Sequence, residues 1–293
     1  MILAKLRGGL SNQLFQYAAA RRLAIHHGTE VRIDASWYSN ICGATPRDYE
    51  LDNFAITGRL ATRHELIGTN GVRNTRLRDM PLALWRKMRP LYRFQAERGL
   101  GFDPRILSLP DNVCLFGYWV SERYFSDVSA TIRKEFQPRD PAEGQNLELL
   151  SEIRSGTSVS IHVRRGDYVQ NPATNRIHGT CSLEYYQSAL AYISSRVGRS
   201  RYFVFSDDLD WARNNLSVPG PVAFVAHNQG KKSYEDLRLM SACSHHIIAN
   251  SGFSWWGAWL NERDDKIVCA PKRWFAEPTY ETKDILPKDW VAL

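Results

Sequence analysis

The chain has 293 residues, 43% of them hydrophobic and 24% charged, which excludes a disordered or collagen-like polypeptide and suits about two domains with substantial cores. Lys and Arg number 38 against 31 Asp and Glu, a formal charge of +7, and arginine, whose planar fork suits phosphate and carboxylate, far outnumbers lysine. No apolar run is long enough to span a membrane, and too little apolar sequence precedes Arg7 for a secretory leader, so an unexported, cytoplasmic protein is expected.

Residues 2–6 read as a short strand running into Arg7-Gly8-Gly9-Leu10-Ser11-Asn12, followed by a helix over 14–27 and a second strand over 30–35. This opening is a βαβ unit whose first turn carries two glycines. Residues 36–70 are polar and irregular. Between Arg73 and Arg98, basic residues interleave with Leu82, Leu84, Trp85, Met88, Leu91, Tyr92 and Phe94; such a stretch is either a solvated basic helix face or a contact with an anionic membrane. The polar, proline-containing run 137–148 is the linker candidate, and we set the domains at 1–145 and 146–293.

Beyond it, strands over 158–164, 202–206, 222–226, 246–250 and 266–270 alternate with helices over 182–196, 209–216, 234–243 and 253–261. That alternation predicts a doubly wound parallel sheet, with ligands outside the carboxyl ends of its strands. The five cysteines, Cys42, Cys114, Cys181, Cys243 and Cys269, form no Cys-x-x-Cys pair and are expected to be reduced thiols.

Three strand ends carry chemistry. In His162-Val163-Arg164-Arg165-Gly166-Asp167, adjacent arginines before a glycine turn suit a diphosphate, or form an Arg–Asp ion pair that closes the turn. Asp207 and Asp208 follow Ser206 and suit either a metal-bridged diphosphate or a helix cap. Asn250-Ser251-Gly252-Phe253-Ser254 opens a helix whose amides suit phosphate, with Trp255, Trp256 and Trp259 as its core residues or as sugar platforms. The Gly8, Gly9, Ser11, Asn12 and Gln13 turn is a further helix start, without the spacing of a P-loop.

Taken together, Gly8 to Ala18, His162 to Tyr168, Phe205 to Asp208 and Ala249 to Trp259 resemble the α-1,2-fucosyltransferases of glycosyltransferase family 11. Ser11 departs from the glycine usual there. The resemblance implies a GT-B-like fold, two Rossmann-like domains facing a cleft, and transfer of L-fucose from GDP-β-L-fucose to a galactose 2-hydroxyl with inversion and without a metal or other cofactor. The acceptor implied is a galactose-containing glycan, lipid-linked in the bacterial enzymes of this kind that build surface polysaccharides. A pattern shared with α-1,6- and protein O-fucosyltransferases implies His162 near the guanine or ribose, and Arg164 or Arg165 on the β-phosphate. It also implies Asp236 on the guanine edge, and Asn250, Ser251, Gly252, Phe253 and Ser254 around the pyrophosphate. Asp167 is the candidate base, with orientation of an arginine as its rival role; Asn12 and Arg165 join it as catalytic candidates. A lectin-like carbohydrate-binding protein is the alternative, suggested by nine tryptophans and 12% aromatic content. No nucleic-acid recognition motif accompanies the basic charge.

Overall fold

The computed structural model describes residues 1–39, 46–67, 82 and 90–293. They form two compact α/β units, Met1–Gln137 and Pro138–Leu293. The division lies eight residues before the expected 145/146, because the end of the expected linker is already helical. Helix Gly144–Arg154 packs on helix Ser233–Ala242 within the second unit.

In the first unit, β1 (Ile2–Lys5), β2 (Val31–Asp34), β3 (Arg59–Leu60), β4 (Arg93–Ala96) and β5 (Val113–Phe116) form a parallel sheet in the order β3-β2-β1-β5-β4. Helix Leu10–His27 connects β1 to β2 and starts four residues before the expected position. Gly9 is its extended N-cap, so Leu10 to Gln13 already belong to the first turn. Leu14, Phe15, Tyr17, Ala18, Ala20 and Ala24 are buried, along with two glutamines, Gln13 and Gln16. The helix stops at Gly28 in the left-handed conformation, φ 62°, where a side chain would be strained.

In the second unit, β6 (Ser158–Val163), β7 (Arg201–Ser206), β8 (Val222–Val225), β9 (His245–Ile247), β10 (Val268–Ala270) and β11 (Val291–Ala292) are also all parallel. Their order is β11-β10-β9-β6-β7-β8, the doubly wound arrangement in which the direction of winding reverses between β6 and β9. Every strand and helix expected beyond residue 150 is present; β11 adds a strand where none was expected. Val159, Ile161 and Val163 pack with Tyr185, Tyr186, Ala189, Leu190 and Ile193 of helix Leu183–Val197 and with Tyr202 and Val204, as a strand with period-two side chains requires. Helix Gly252–Leu260 packs on helix Ser233–Ala242. A Cβ on Gly257 would lie 2.9 Å from Met240 Cβ, so glycine permits that close approach. Trp255, Trp256 and Trp259 are buried, which resolves them as core residues, and Trp255 Nε1 donates to Ile285 O at 2.8 Å.

Most of the basic 73–98 stretch, including Arg73, Arg76, Arg78, Arg86, Lys87 and Arg89, lies outside the described residues, as does Cys42. Its last part corrects the helical expectation: Arg93–Ala96 is the exposed edge strand β4, and Tyr92 is buried. Cys114, Cys181, Cys243 and Cys269 are free thiols. Among the described residues no helix is long and apolar enough to cross a membrane.

Candidate active site

The carboxyl ends of β6, β7 and β9 gather the motif residues of the second unit. His162 lies at the end of β6 with 5% of its surface exposed. Its ring tilts against Phe253, centroids 5.8 Å apart, and its buried Nδ1 has no hydrogen-bond partner. Burial pulls its pKa down to about 4, with Asp207 opposing and Arg164 adding to the shift, so the imidazole is neutral at pH 7. A neutral ring with an unsatisfied nitrogen at a strand end is suited to a polar ligand.

The two arginines, equivalent in sequence, are not equivalent in space. Arg164 is held on both sides, Nη2 donating to Asp167 Oδ1 at 2.6 Å and Nη1 lying 2.9 Å from Asp207 Oδ2. Arg165 engages only its Nε, which donates to Asp208 Oδ2 at 3.1 Å, while its guanidinium lies over the Trp211 ring at 4.3 Å. The Nη groups of Arg165 have no hydrogen-bond partner among the described residues. They form an open fork, fixed in place by an aromatic face and one carboxylate.

Asp207 accepts the Arg165 backbone N–H at 2.8 Å. A Cβ on Gly166 would lie 2.6 Å from its Oδ2, which accounts for glycine at the turn. Asp208 caps helix Leu209–Asn215, accepting Trp211 N–H at 3.1 Å. Both carboxylates thus serve the arginines and a cap. Asp167, paired to Arg164, occupies the position of an orienting group.

Ser251 caps helix Gly252–Leu260 through Phe253 N–H, 3.3 Å. Ser254 Oγ donates to Ser251 O at 3.3 Å. No acidic residue stands in the first turn, so no side chain of that turn neutralises the positive end of the helix dipole. The Asn250 side chain braces the backbone around the turn. Its Nδ2 donates to His178 O, Gly179 O and Trp274 O at 2.9, 3.3 and 3.2 Å, and its Oδ1 accepts from Cys181 Sγ at 3.5 Å. Tyr168 OH donates to Asn250 O at 3.4 Å, tying the turn after β6 to the turn after β9.

Asp236, in helix Ser233–Ala242, is partly buried. Burial pushes its pKa up to about 7, against the hydrogen bond that Asn228 Nδ2 donates at 2.8 Å. Asn228 is in turn paired with Asn146, which also bonds His227 Nε2 at 2.7 Å. Asn146, read from sequence as part of a linker, therefore supports Asp236. No sequence signal marks Asn146 or His227.

In the first unit, Gly8 has φ 83° and a Cβ there would lie 2.4 Å from Asn12 Nδ2. Its carbonyl accepts from Tyr38 OH at 3.0 Å and Gln13 Nε2 at 3.3 Å. Gln13 also donates to Asp48 O at 2.8 Å and accepts Glu50 N–H at 2.9 Å, so it braces the turn instead of facing a ligand. Gln16 pairs both ways with the Arg7 backbone, 3.0 and 3.2 Å. Gly9 and Ser11 are partly exposed at the helix start. Arg7, missed in the sequence, lies over Phe116 and Tyr118 at 4.6 and 4.1 Å, with a buried, unpartnered Nε. Gly8→Ala is expected to cost about 1–2 kcal/mol through the left-handed backbone and to displace the Asn12 amide; thermal unfolding and transfer kinetics check this, and an unaltered melting temperature would contradict it.

The family model for glycosyl transferase family 11 matches residues 82–293. The chain belongs to glycosyltransferase family 11. An α-1,2-colitosyltransferase of Escherichia coli is 33% identical over 300 residues, spanning 100% of this chain and 99% of that protein. The O-antigen biosynthesis glycosyltransferase WbnK of Escherichia coli is 32% identical over 286 residues, 92% of this chain and 94% of that protein. Among solved structures, NodZ α-1,6-fucosyltransferase soaked with GDP-fucose superposes with a TM-score of 0.50 at 17% identity, covering 88% of this chain and 91% of that one. That likeness concerns the fold, which is GT-B-like with two parallel α/β units.

Proposed function

We propose that this family 11 enzyme transfers L-fucose from GDP-β-L-fucose to the 2-hydroxyl of a terminal galactose, with inversion and without a metal, in the assembly of a bacterial O-antigen or related polysaccharide. The observation that carries the reading is the open Arg165 fork at the carboxyl end of β6 in a doubly wound sheet. Cleaving a glycosyl–phosphate bond builds negative charge on the leaving β-phosphate, which a prearranged guanidinium and the first-turn amides of the Gly252–Leu260 helix stabilise without a cation. Asp207 and Asp208 are engaged by arginines and a helix cap, which favours metal-free chemistry. The 12% aromatic content that suggested a lectin is explained in large part by core packing. A neutral sugar would have no use for the Arg165 fork.

A second donor is favoured by the 33% identity to a colitosyltransferase. Colitose is L-fucose without its 3-hydroxyl, so the same diphosphate machinery serves either sugar. Lipid linkage of the acceptor and peripheral contact with an anionic membrane belong to the same proposal, supported by the basic composition of 73–98 and by exposed Arg93 and Arg98.

Calorimetric titration with GDP, GDP-fucose and GDP-colitose in EDTA, then incubation of each donor with β-galactosides, tests this reading. Binding and transfer without metal support it; failure to bind any guanine nucleotide ends it. An ionised Asp236 accepts two N–H groups from guanine, whereas its protonated form presents one acceptor fewer. Since the carboxyl titrates near 7, GDP affinity is expected to be greatest above that pH and to fall by up to about tenfold per unit below it. Asp236→Asn should weaken binding and flatten the profile; an unchanged profile would remove Asp236 from the guanine site.

A further inference from the structure

His178 ends helix Pro172–His178, and three contacts fix it at the switch point. Its imidazole stacks on Tyr168 with centroids 4.7 Å apart and planes 12° from parallel. Phe275 tilts against it at 5.3 Å. Its carbonyl accepts Asn250 Nδ2 at 2.9 Å, while Asn175 Nδ2 donates to Tyr168 O at 2.6 Å. A titratable ring is thus fastened between Tyr168, in the segment after β6 that holds both arginines, and Phe275, which follows β10, while the residue's own carbonyl is held by Asn250 in the turn after β9. The ring is partly exposed, and neither of its nitrogens has a hydrogen-bond partner among the described residues.

The reaction needs an acceptor for one proton, and the neighbouring carboxylates are poorly suited to it. Asp167 and Asp207 are held by Arg164, and Asp208 by Arg165; an ion-paired carboxylate is a weaker base than a free one. The geometry points to His178 as the general base of the glycosyl transfer, an inference that rests on the transferase reading above. A free imidazole nitrogen takes the proton of the acceptor hydroxyl as its oxygen bonds the anomeric carbon of the donor sugar. The bond from that carbon to the β-phosphate oxygen breaks, its electron pair leaves with the diphosphate, and the imidazolium then returns its proton to solvent. The charged groups that bear on the ring are Asp167, which favours its protonation, and Arg164, which opposes it; Tyr168 and Phe275 contribute uncharged faces. Partial burial outweighs both and lowers the pKa, so the ring is in its basic form at pH 7.

His178→Phe keeps the aromatic packing and removes the nitrogens; His178→Gln keeps polarity without basicity. Both are expected to lower kcat by about 10²- to 10⁴-fold, to leave GDP affinity unchanged, and to abolish the acid limb of the kcat profile at saturating donor, where protonation of Asp236 affects only KM; His178→Phe should also keep the melting temperature. Variants with near-normal kcat and an intact acid limb in kcat at saturating donor would overturn the assignment. So would variants that lose GDP affinity and thermal stability along with activity, since the ring would then be only a packing element. Wild-type protein that transfers neither fucose nor colitose overturns the transferase reading, and this inference with it, whereas active wild type beside unaffected variants overturns the base alone.

Discussion

Arg165→Ala is expected to reduce kcat/KM for donor turnover by about 10²- to 10³-fold and to weaken GDP binding, while the melting temperature stays nearly unchanged. The reason lies in what the side chain touches. Its pair with Asp208 and its contact with Trp211 are partly exposed, and each contributes about 1 kcal/mol. Its two free Nη groups, by contrast, are available where charge develops on the leaving phosphate. Lysine should restore only part of the activity, because a point charge cannot keep Asp208, the Trp211 face and a bidentate phosphate contact together. Arg164→Ala should behave differently, because Asp167 and Asp207 lose their shared cation and the turn itself is weakened. Turnover assays, GDP titration and thermal melts on the three variants separate these roles. Normal kinetics for Arg165→Ala would remove the fork from the reaction.

Asn250→Ala is the second large effect, and it is one of stability. The amide's two hydrogens are shared among the carbonyls of His178, Gly179 and Trp274. Truncation leaves partly or fully buried acceptors without partners, at about 2–4 kcal/mol in total, which corresponds to a fall of about 5–15 °C in melting temperature. Differential scanning calorimetry checks the magnitude. A variant that melts like wild type yet has lost GDP affinity would make Asn250 a direct diphosphate ligand and refute the anchoring role.

The second unit was legible because its elements are regular. Val159, Ile161 and Val163 announce β6 by alternation, and Ser206 with Asp208 announces the helix that follows. The first unit was less so. β5 is only four residues long, between Pro110-Asp111-Asn112 and Gly117, and β4 interrupts a basic stretch whose composition suggested a helix. Within the site, the strand-end arginines could be found from type and position, but their division of labour could not. It depends on which carboxylate each meets, and Asp207 and Asp208 come from another strand more than 40 residues away. Asn250 and Gln13 illustrate the same limit. Polar side chains in a motif look like ligands in one dimension, and only their partners reveal that they hold backbone carbonyls and amides. His178 had no motif to mark it, since its position follows from a ring stacked on Tyr168 and a carbonyl held by Asn250.

The arginine fork has a further kinetic consequence on the proposed reading. Trp211 and Asp208 hold it in position before any nucleotide arrives, and nothing in that arrangement distinguishes the diphosphate of the donor from that of spent GDP. The grip that stabilises the departing phosphate therefore persists after the sugar has gone. GDP should compete with donor for the free enzyme, and sustained flux should depend on a phosphatase or a similar sink that clears the nucleotide.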